Sequence, residues 1–358
     1  HNIAGASNAG LMQLDAAIES FGQALKIKPD SAATHNNMGN ALKDKGDLDV
    51  AIDSFKKALD INPDYTEAYS NMGLVLMQKG NLGAAIHNQK QAIRINCEYA
   101  EAHLNLGFAL LNSGRLGEGL EEYEWRWKTP DFFSQERHFS QPLWDGRANL
   151  KGKRILLWSE QGPQDVTIWS SCIRYLAAKA EHCILECYEK IVPLFARSFP
   201  NVEVKGEFRS LDNERADFDF HLPMGSLFRH FVSEVSQNNK PDAFLIPDPV
   251  RVKFWKERLQ SLGEGPFVGI SWKSPVINPS RQPNYTQISD WAPVLALPNV
   301  TFINLQSTDF VDDLAKIQTE LGVTVHNFDD LDHYDNLDDV AALAAALDIV
   351  VSVSTAVS

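Results

Sequence analysis

No run of about 18 apolar residues occurs in this sequence, so no membrane span is expected. The start lacks the basic-then-apolar pattern of a secretion signal. Positive charge is scarce: 33 Lys and Arg stand against 47 Asp and Glu, a formal net charge of −14. That balance argues against a non-specific nucleic-acid binder, whose footprint must be basic. There are only four cysteines, Cys97, Cys172, Cys183 and Cys187, and none forms the C-x-x-C pair of a zinc site. Cys183 and Cys187 share parity on an expected strand and so face one side. All four are expected to be reduced thiols, as in a cytoplasmic protein. There is no Walker motif and no G-x-S-x-G elbow, and Gln161-Gly162-Pro163 is too short for a dinucleotide fingerprint. The acidic run Asp329, Asp330, Asp332, Asp335, Asp338 and Asp339 lacks the glycine and terminal glutamate of a calcium loop. It reads as a solvated loop and helix N-cap, and His326 and His333 read as surface or capping histidines. No metal site is expected.

What the sequence does have is a period. Gly39, Gly73 and Gly107 are 34 residues apart, as are Gly46, Gly80 and Gly114, and Ala51 and Ala85 with Ala17 before them. Pro29 and Pro63 close two units, with Cys97 at the equivalent place in the next. This is the tetratricopeptide period, two antiparallel helices per unit. Residues 1–132 are therefore expected to be an α-helical solenoid with full units at 31–64, 65–98 and 99–132. Residues 11–30 read as the second helix of an earlier unit, and residues 1–10 do not fit the first-helix pattern. Asn37, Asn71 and Asn105 also recur every 34 residues. Such a series can place side-chain amides along a groove that holds an extended peptide by its backbone. It equally fits asparagines that bond between neighbouring helices. Trp125 and Trp127 depart from the repeat pattern and read as a docking cluster at the end of the solenoid.

After a linker at 133–150 the period changes. Lys153 to Ala178 reads as strand, tight turn and helix, the opening unit of a doubly wound α/β domain. Strands follow at 183–187 and 201–206, then a fourth short one before the helix at 251–262. A second series opens with the strand at 267–272 and runs through strands at 300–306 and 348–354. The expected architecture is two Rossmann-like halves, 151–264 and 265–358. The second is expected to be incomplete, because no helix follows its last strand. Ligands in such sheets lie beyond the carboxyl ends of the strands.

The segments LLWSEQGPQDV, ILECYEKIVPLFARSFP, VGISWKS with Arg281 and Tyr285 beyond it, and DDVAALAAALDIVVSVSTAVS carry a resemblance. With the repeats before them, the chain resembles bacterial tetratricopeptide-repeat proteins that end in a heptosyltransferase-like domain of the GT-B fold (glycosyltransferase family 9-like). It is similar in layout to O-linked N-acetylglucosamine transferases, whose repeats carry an asparagine ladder. The resemblance implies inverting, metal-independent transfer of a sugar from a nucleotide-sugar co-substrate, with no further cofactor. Asp165 stands where the family has its candidate general base, in a loop with Gln161 and Gly162 that faces the acceptor. Gln164 replaces a family glycine. Lys273, Ser274, Arg281 and Tyr285 are implied to meet the donor diphosphate, and Ser354 and Thr355 belong to the donor turn, with Ser354 where aspartate is common. Two alternatives stay open: a peptide-binding scaffold with a degenerate transferase domain, and an assembly module whose repeats self-associate. Asp165 equally reads as a helix N-cap, and the loop after Trp272 as a solvated loop. The implied partners are a peptide or protein in the groove and a nucleotide-sugar, with no nucleic acid; the oligomeric state is not legible.

Overall fold

The computed structural model describes residues 1–10, 13–133, 136–207, 215–237, 243–273, 286–308 and 310–353. The chain forms two compact units, His1–Glu136 and Arg137–Ser358. None of the described helices is long and apolar enough to cross a membrane.

The first unit is helical: α1 (Asn2–Gly10), α2 (Leu14–Ile27), α3 (Ala32–Lys45), α4 (Leu48–Ile61), α5 (Thr66–Gln78), α6 (Leu82–Ile95), α7 (Ala100–Asn112), α8 (Leu116–Tyr123) and the short α9 (Pro130–Phe133). Each odd helix packs on the next through a repeat glycine. A Cβ on Gly39 would come within 2.6 Å of the Phe55 ring, and one on Gly73 within 2.5 Å of Gln89 Nε2. On Gly107 it would sit 3.0 Å from the backbone nitrogen of Tyr123. Gly5 does the same against Phe21, at 2.5 Å. Residues 1–10, which the sequence pattern left outside the repeats, therefore supply a first helix like the others. Phe21 and Phe55 fill the space the missing side chains leave and are almost wholly buried. Gly46, Gly80 and Gly114 reverse the chain with φ of 95°, 75° and 80°, the left-handed region where a side chain would be strained.

The solenoid ends on a stack of side chains. Trp125 lies flat on His103, centroids 3.7 Å apart. The buried guanidinium of Arg126 sits between the Tyr123 and Trp127 rings, at 4.5 and 4.6 Å. The aromatic cluster thus finds partners inside its own unit.

Among the described residues, the second unit holds two parallel sheets of four strands each. The first contains β1 (Arg154–Trp158), β2 (His182–Cys187), β3 (Glu203–Gly206) and β4 (Phe220–Pro223) in the order β3-β2-β1-β4. The second contains β5 (Phe267–Ser271), β6 (Thr301–Asn304), β7 (Val325–His326) and β8 (Ile349–Ser352) in the order β7-β6-β5-β8. The two orders are the same pattern, so the second sheet repeats the winding of the first. The helices are α10 (Pro163–Ser170), α11 (Ile173–Ala177), α12 (Val192–Ser198), α13 (Leu227–Gln237), α14 (Pro249–Gln260), α15 (Ala292–Leu295), α16 (Val311–Leu321) and α17 (Leu337–Ala346). The helix expected after β1 is broken into α10 and α11. Thr167, Ser170 and Ser171 each turn a hydroxyl back onto a carbonyl three or four residues earlier, which competes with the helical ladder.

One face of the first sheet, with Ile155, Leu157, Cys183, Leu185, Cys187 and Leu222, packs into the helical core. Cys183 and Cys187 share that face, and burial pushes both thiols up to about 12. All four cysteines are free. The other face carries Trp158, Glu186 and His221, and Arg137, Phe139 and Arg215 lie against it. Residues 142–144 run beside β4, with Trp144 N donating to His221 O at 2.9 Å. Arg137 Nη1 donates to Glu186 Oε2 at 2.7 Å, and Arg215 to the other oxygen. Trp158 Nε1 donates to His221 Nδ1 at 3.3 Å. Burial first, then the Arg137 charge, pushes His221 down to about 4. A neutral histidine held this way stabilises the fold fully above its unfolded value of about 6.5, and that contribution is lost as pH falls toward 4. Urea unfolding should show about 2 kcal/mol less stability at pH 4.5 than at pH 7 from this group, and His221→Gln should flatten much of that slope. A slope unchanged by the substitution would contradict the assignment.

As far as Asp335 the acidic run is an exposed loop, as expected, and Asp338 and Asp339 open α17, but several of its carboxylates are ion-paired. Arg258 Nη1 reaches Asp330 at 2.6 Å, Arg197 pairs with Asp338, and Asp339 accepts from Arg251 Nη2 and Trp255 Nε1, both at 2.7 Å. Asp339 is nearly buried, and Asn336 caps α17 in its place. Leu337 and Ala341 of α17 pack on the core of the first sheet, so these charges lie where the two sheets' layers meet. His333, expected at the surface, is buried there, and burial holds its pKa below the usual imidazole range.

Candidate functional site

Three groups of residues stand out. The first is the turn after β1. Gly162 is the N-cap of α10, with φ −60° and ψ 165° and no side chain to donate a cap. Asp165 therefore stands at the third position of the first turn and is not the cap. It is half-buried, and the helix N-terminus favours its charge. Gln161 is half-buried and Gly162 exposed. The turn is anchored by Glu160, which is buried and accepts from Gly225 N at 2.9 Å through Oε1. This ties the loop after β1 to the loop after β4, so the segment bearing Asp165 is fixed from below.

The second group lies at the carboxyl end of β5. Gln306 is wholly buried, and its Oε1 accepts from Trp272 N at 3.2 Å and Lys273 N at 3.1 Å. Its Nε2 donates to Lys273 O at 2.8 Å, so one side-chain amide satisfies the backbone as the chain leaves the strand. Asn304 Oδ1 accepts from Gln306 N at 2.9 Å, and Asn304 Nδ2 donates to Asn327 at 2.9 Å. Lys273 Nζ donates to Asp313 Oδ2 at 2.8 Å, the oxygen that also receives Trp272 Nε1 at 2.8 Å. The lysine is thus oriented by a carboxylate of α16. Ser274, Arg281, Tyr285, Ser354 and Thr355 lie outside the described residues.

The third group is the row of first helices in the solenoid. Asn71 Nδ2 donates to Asn36 Oδ1 at 3.0 Å, and Asn105 Nδ2 to Ser70 Oγ at 3.3 Å. Each asparagine thus ties its helix to the odd-numbered helix before it. Asn37, Asn71 and Asn105 are all half-buried. The amide nitrogens of Asn71 and Asn105 serve the solenoid itself.

Sequence reasoning did not single out Glu160, Gln306, Asn304 or Asp313. Glu160 lies in the quoted loop, but its partner is 65 residues away. Asn304 and Gln306 carry a signal in retrospect, two amides at the end of a strand whose inner positions are otherwise apolar. Among the described residues no three His, Cys, Asp or Glu side chains gather as a metal site.

A family model described as TPR repeat matches residues 13–46, 39–80 and 73–114. Tetratricopeptide repeats therefore occupy this part of the chain. Protein FlbA of Caulobacter vibrioides is 35% identical over 255 residues, which is 67% of this chain and 42% of FlbA. The chain thus spans less than half of that relative's length, and the match extends beyond the first unit into the second. Among solved structures, MamA is 28% identical with a TM-score of 0.33, over 36% of this chain and 75% of MamA. TTC0263, a tetratricopeptide protein of Thermus thermophilus, is 23% identical with a TM-score of 0.34, over 36% of this chain and 73% of its own.

Proposed function

We propose that this protein transfers a sugar from a nucleotide-sugar to an acceptor, a peptide or protein, held by the groove of its repeats. The observation that carries this is the pair of parallel sheets wound in one order, β3-β2-β1-β4 and β7-β6-β5-β8, each with a chemically equipped turn beyond its first strand. Two such halves suit a donor on one and an acceptor on the other. Asp165 would take the proton of the attacking hydroxyl as the glycosidic bond forms. Lys273, with Asp313 holding its ammonium, would face the diphosphate that leaves. Ser274, Arg281, Tyr285, Ser354 and Thr355 would complete the donor side, and Gln161 and Gly162 would line the acceptor side. The repeats act as a protein-interaction scaffold in this scheme. A second scheme, a scaffold without catalysis, draws on the ion pair that neutralises Lys273 and on Gln164 in the acceptor loop.

A panel of nucleotide-sugars, incubated with the protein and a peptide library, tests the scheme through release of nucleoside diphosphate and mass gain on peptide. Release coupled to mass gain supports transfer. A folded protein that binds peptides but releases no nucleotide supports the scaffold.

A further inference from the structure

The odd-numbered helices of the solenoid share a stripe of mostly exposed or half-buried side chains, in which Ser70 is buried and Phe108 lies 5.8 Å from the Tyr123 ring. On α5, Glu67, Ser70, Asn71 and Leu74 fall at i, i+3, i+4 and i+7, and on α7 Glu101, Leu104, Asn105 and Phe108 repeat the spacing. Ala68, Met72 and Val75 of α5 are buried on the other side, and Ser70 is buried beneath the Asn105 amide that bonds it. The asparagine bonds between these helices make their open faces continuous. Its charge is one-signed at one end. Glu67 is exposed and Glu101 half-buried, and no ion pair among the described residues engages either carboxylate. Two half-buried tyrosines, Tyr65 and Tyr99, stand beside them at the N-caps of α5 and α7. Burial and the Glu67 charge raise the Tyr65 pKa above the usual phenol value, with Asn36 opposing them. The Tyr99 hydroxyl is pushed up to about 12, by burial first and then by Glu101, Glu67 and Tyr65. These four groups therefore form one neighbourhood in which a further negative charge is disfavoured.

From this face we infer that the groove takes an extended peptide bearing two basic side chains, one for Glu67 with Tyr65 and one for Glu101 with Tyr99, and apolar side chains against Leu74 and Phe108. The inference rests on the peptide groove proposed above and adds the chemistry of its occupant. Charge complementarity and cation–π contact with the tyrosine rings both select Lys or Arg. Spacing follows from geometry. Packed helices lie about 8–10 Å apart, and a polyproline II peptide advances about 9.3 Å in three residues, returning to the same face. Basic residues at i and i+3 would thus meet the two carboxylates together.

Fluorescence anisotropy tests this with labelled peptides of about twelve residues, rich in Pro and Ala. One carries Lys at i and i+3, a second Gln and a third Glu at the same places, and a fourth adjacent Lys residues. The Lys i, i+3 peptide should bind tightest and weaken with salt. Glu67→Gln with Glu101→Gln should cost it about tenfold, with helical circular dichroism unchanged. Equal or tighter binding of the Gln or Glu peptide, lost on Leu74→Asp, would overturn the basic-peptide inference while leaving the groove in place. Absence of binding by every peptide to folded protein would overturn both.

Discussion

Replacing Glu186 by Ala should destabilise the Arg137–Ser358 unit by about 3–5 kcal/mol in urea unfolding. The carboxylate is buried and serves both the Arg137 and Arg215 guanidiniums, and its loss brings the two cations face to face with the carboxylate between them gone, Asp217 still pairing with Arg215 from the far side. Both arginines also lie over aromatic rings, Arg137 at 4.9 Å from the Phe139 centroid and Arg215 at 5.2 Å from that of Phe218. Those contacts hold the cations near one another even when the carboxylate is gone, so relaxation into solvent is hindered. The control is the triple change of Glu186, Arg137 and Arg215 to Leu, Met and Met. It removes the charges together and should cost much less than the single change, because a buried ion cluster can be exchanged for apolar side chains at little net loss. A single-variant cost below about 1 kcal/mol would mean that water reaches the cluster and that this face of the sheet is not sealed.

On the proposed sugar transfer, Asp165→Asn should lower the rate by about 10² to 10⁴-fold, the range expected for a general base. Its effect on fold should be small. The amide keeps the size of the side chain, and Gly162, not Asp165, caps α10. Nucleoside diphosphate binding should persist, because the residues proposed for the donor side, Lys273 among them, lie outside the turn after β1. A variant that transfers at the unaltered rate would remove Asp165 from the chemistry. A variant that loses nucleotide binding as well would assign the residue to holding the turn, alongside Glu160.

The repeats were legible because their information is local and periodic: glycines and alanines at fixed intervals mark where helices touch. Gly5 belongs to the same series and escaped notice because its neighbours Ile3 and Ala4 match nothing at Asn37 and Met38. The strand and helix sequence of the second unit was legible for the same reason, up to the break that the hydroxyls of α10 impose. Pairings across long separations were not legible. The acidic run took on its structural role only through Arg197, Arg251 and Arg258, which lie 141, 88 and 72 residues from their partners. Nothing local distinguishes such carboxylates from solvated ones. Likewise Lys273 was recognisable as a cation beyond a strand, while its fixed orientation depends on Asp313, 40 residues on.

The measurement that bears most directly on the sugar-transfer account is calorimetric titration of the protein with nucleoside diphosphates and nucleotide-sugars, without added metal. One class should bind with a single-site isotherm, and Lys273→Ala should weaken it about tenfold or more, the loss of one positioned cation against a phosphate. No heat of binding from any of them, with the protein folded by circular dichroism, would contradict the account and leave a repeat scaffold joined to an idle pair of sheets.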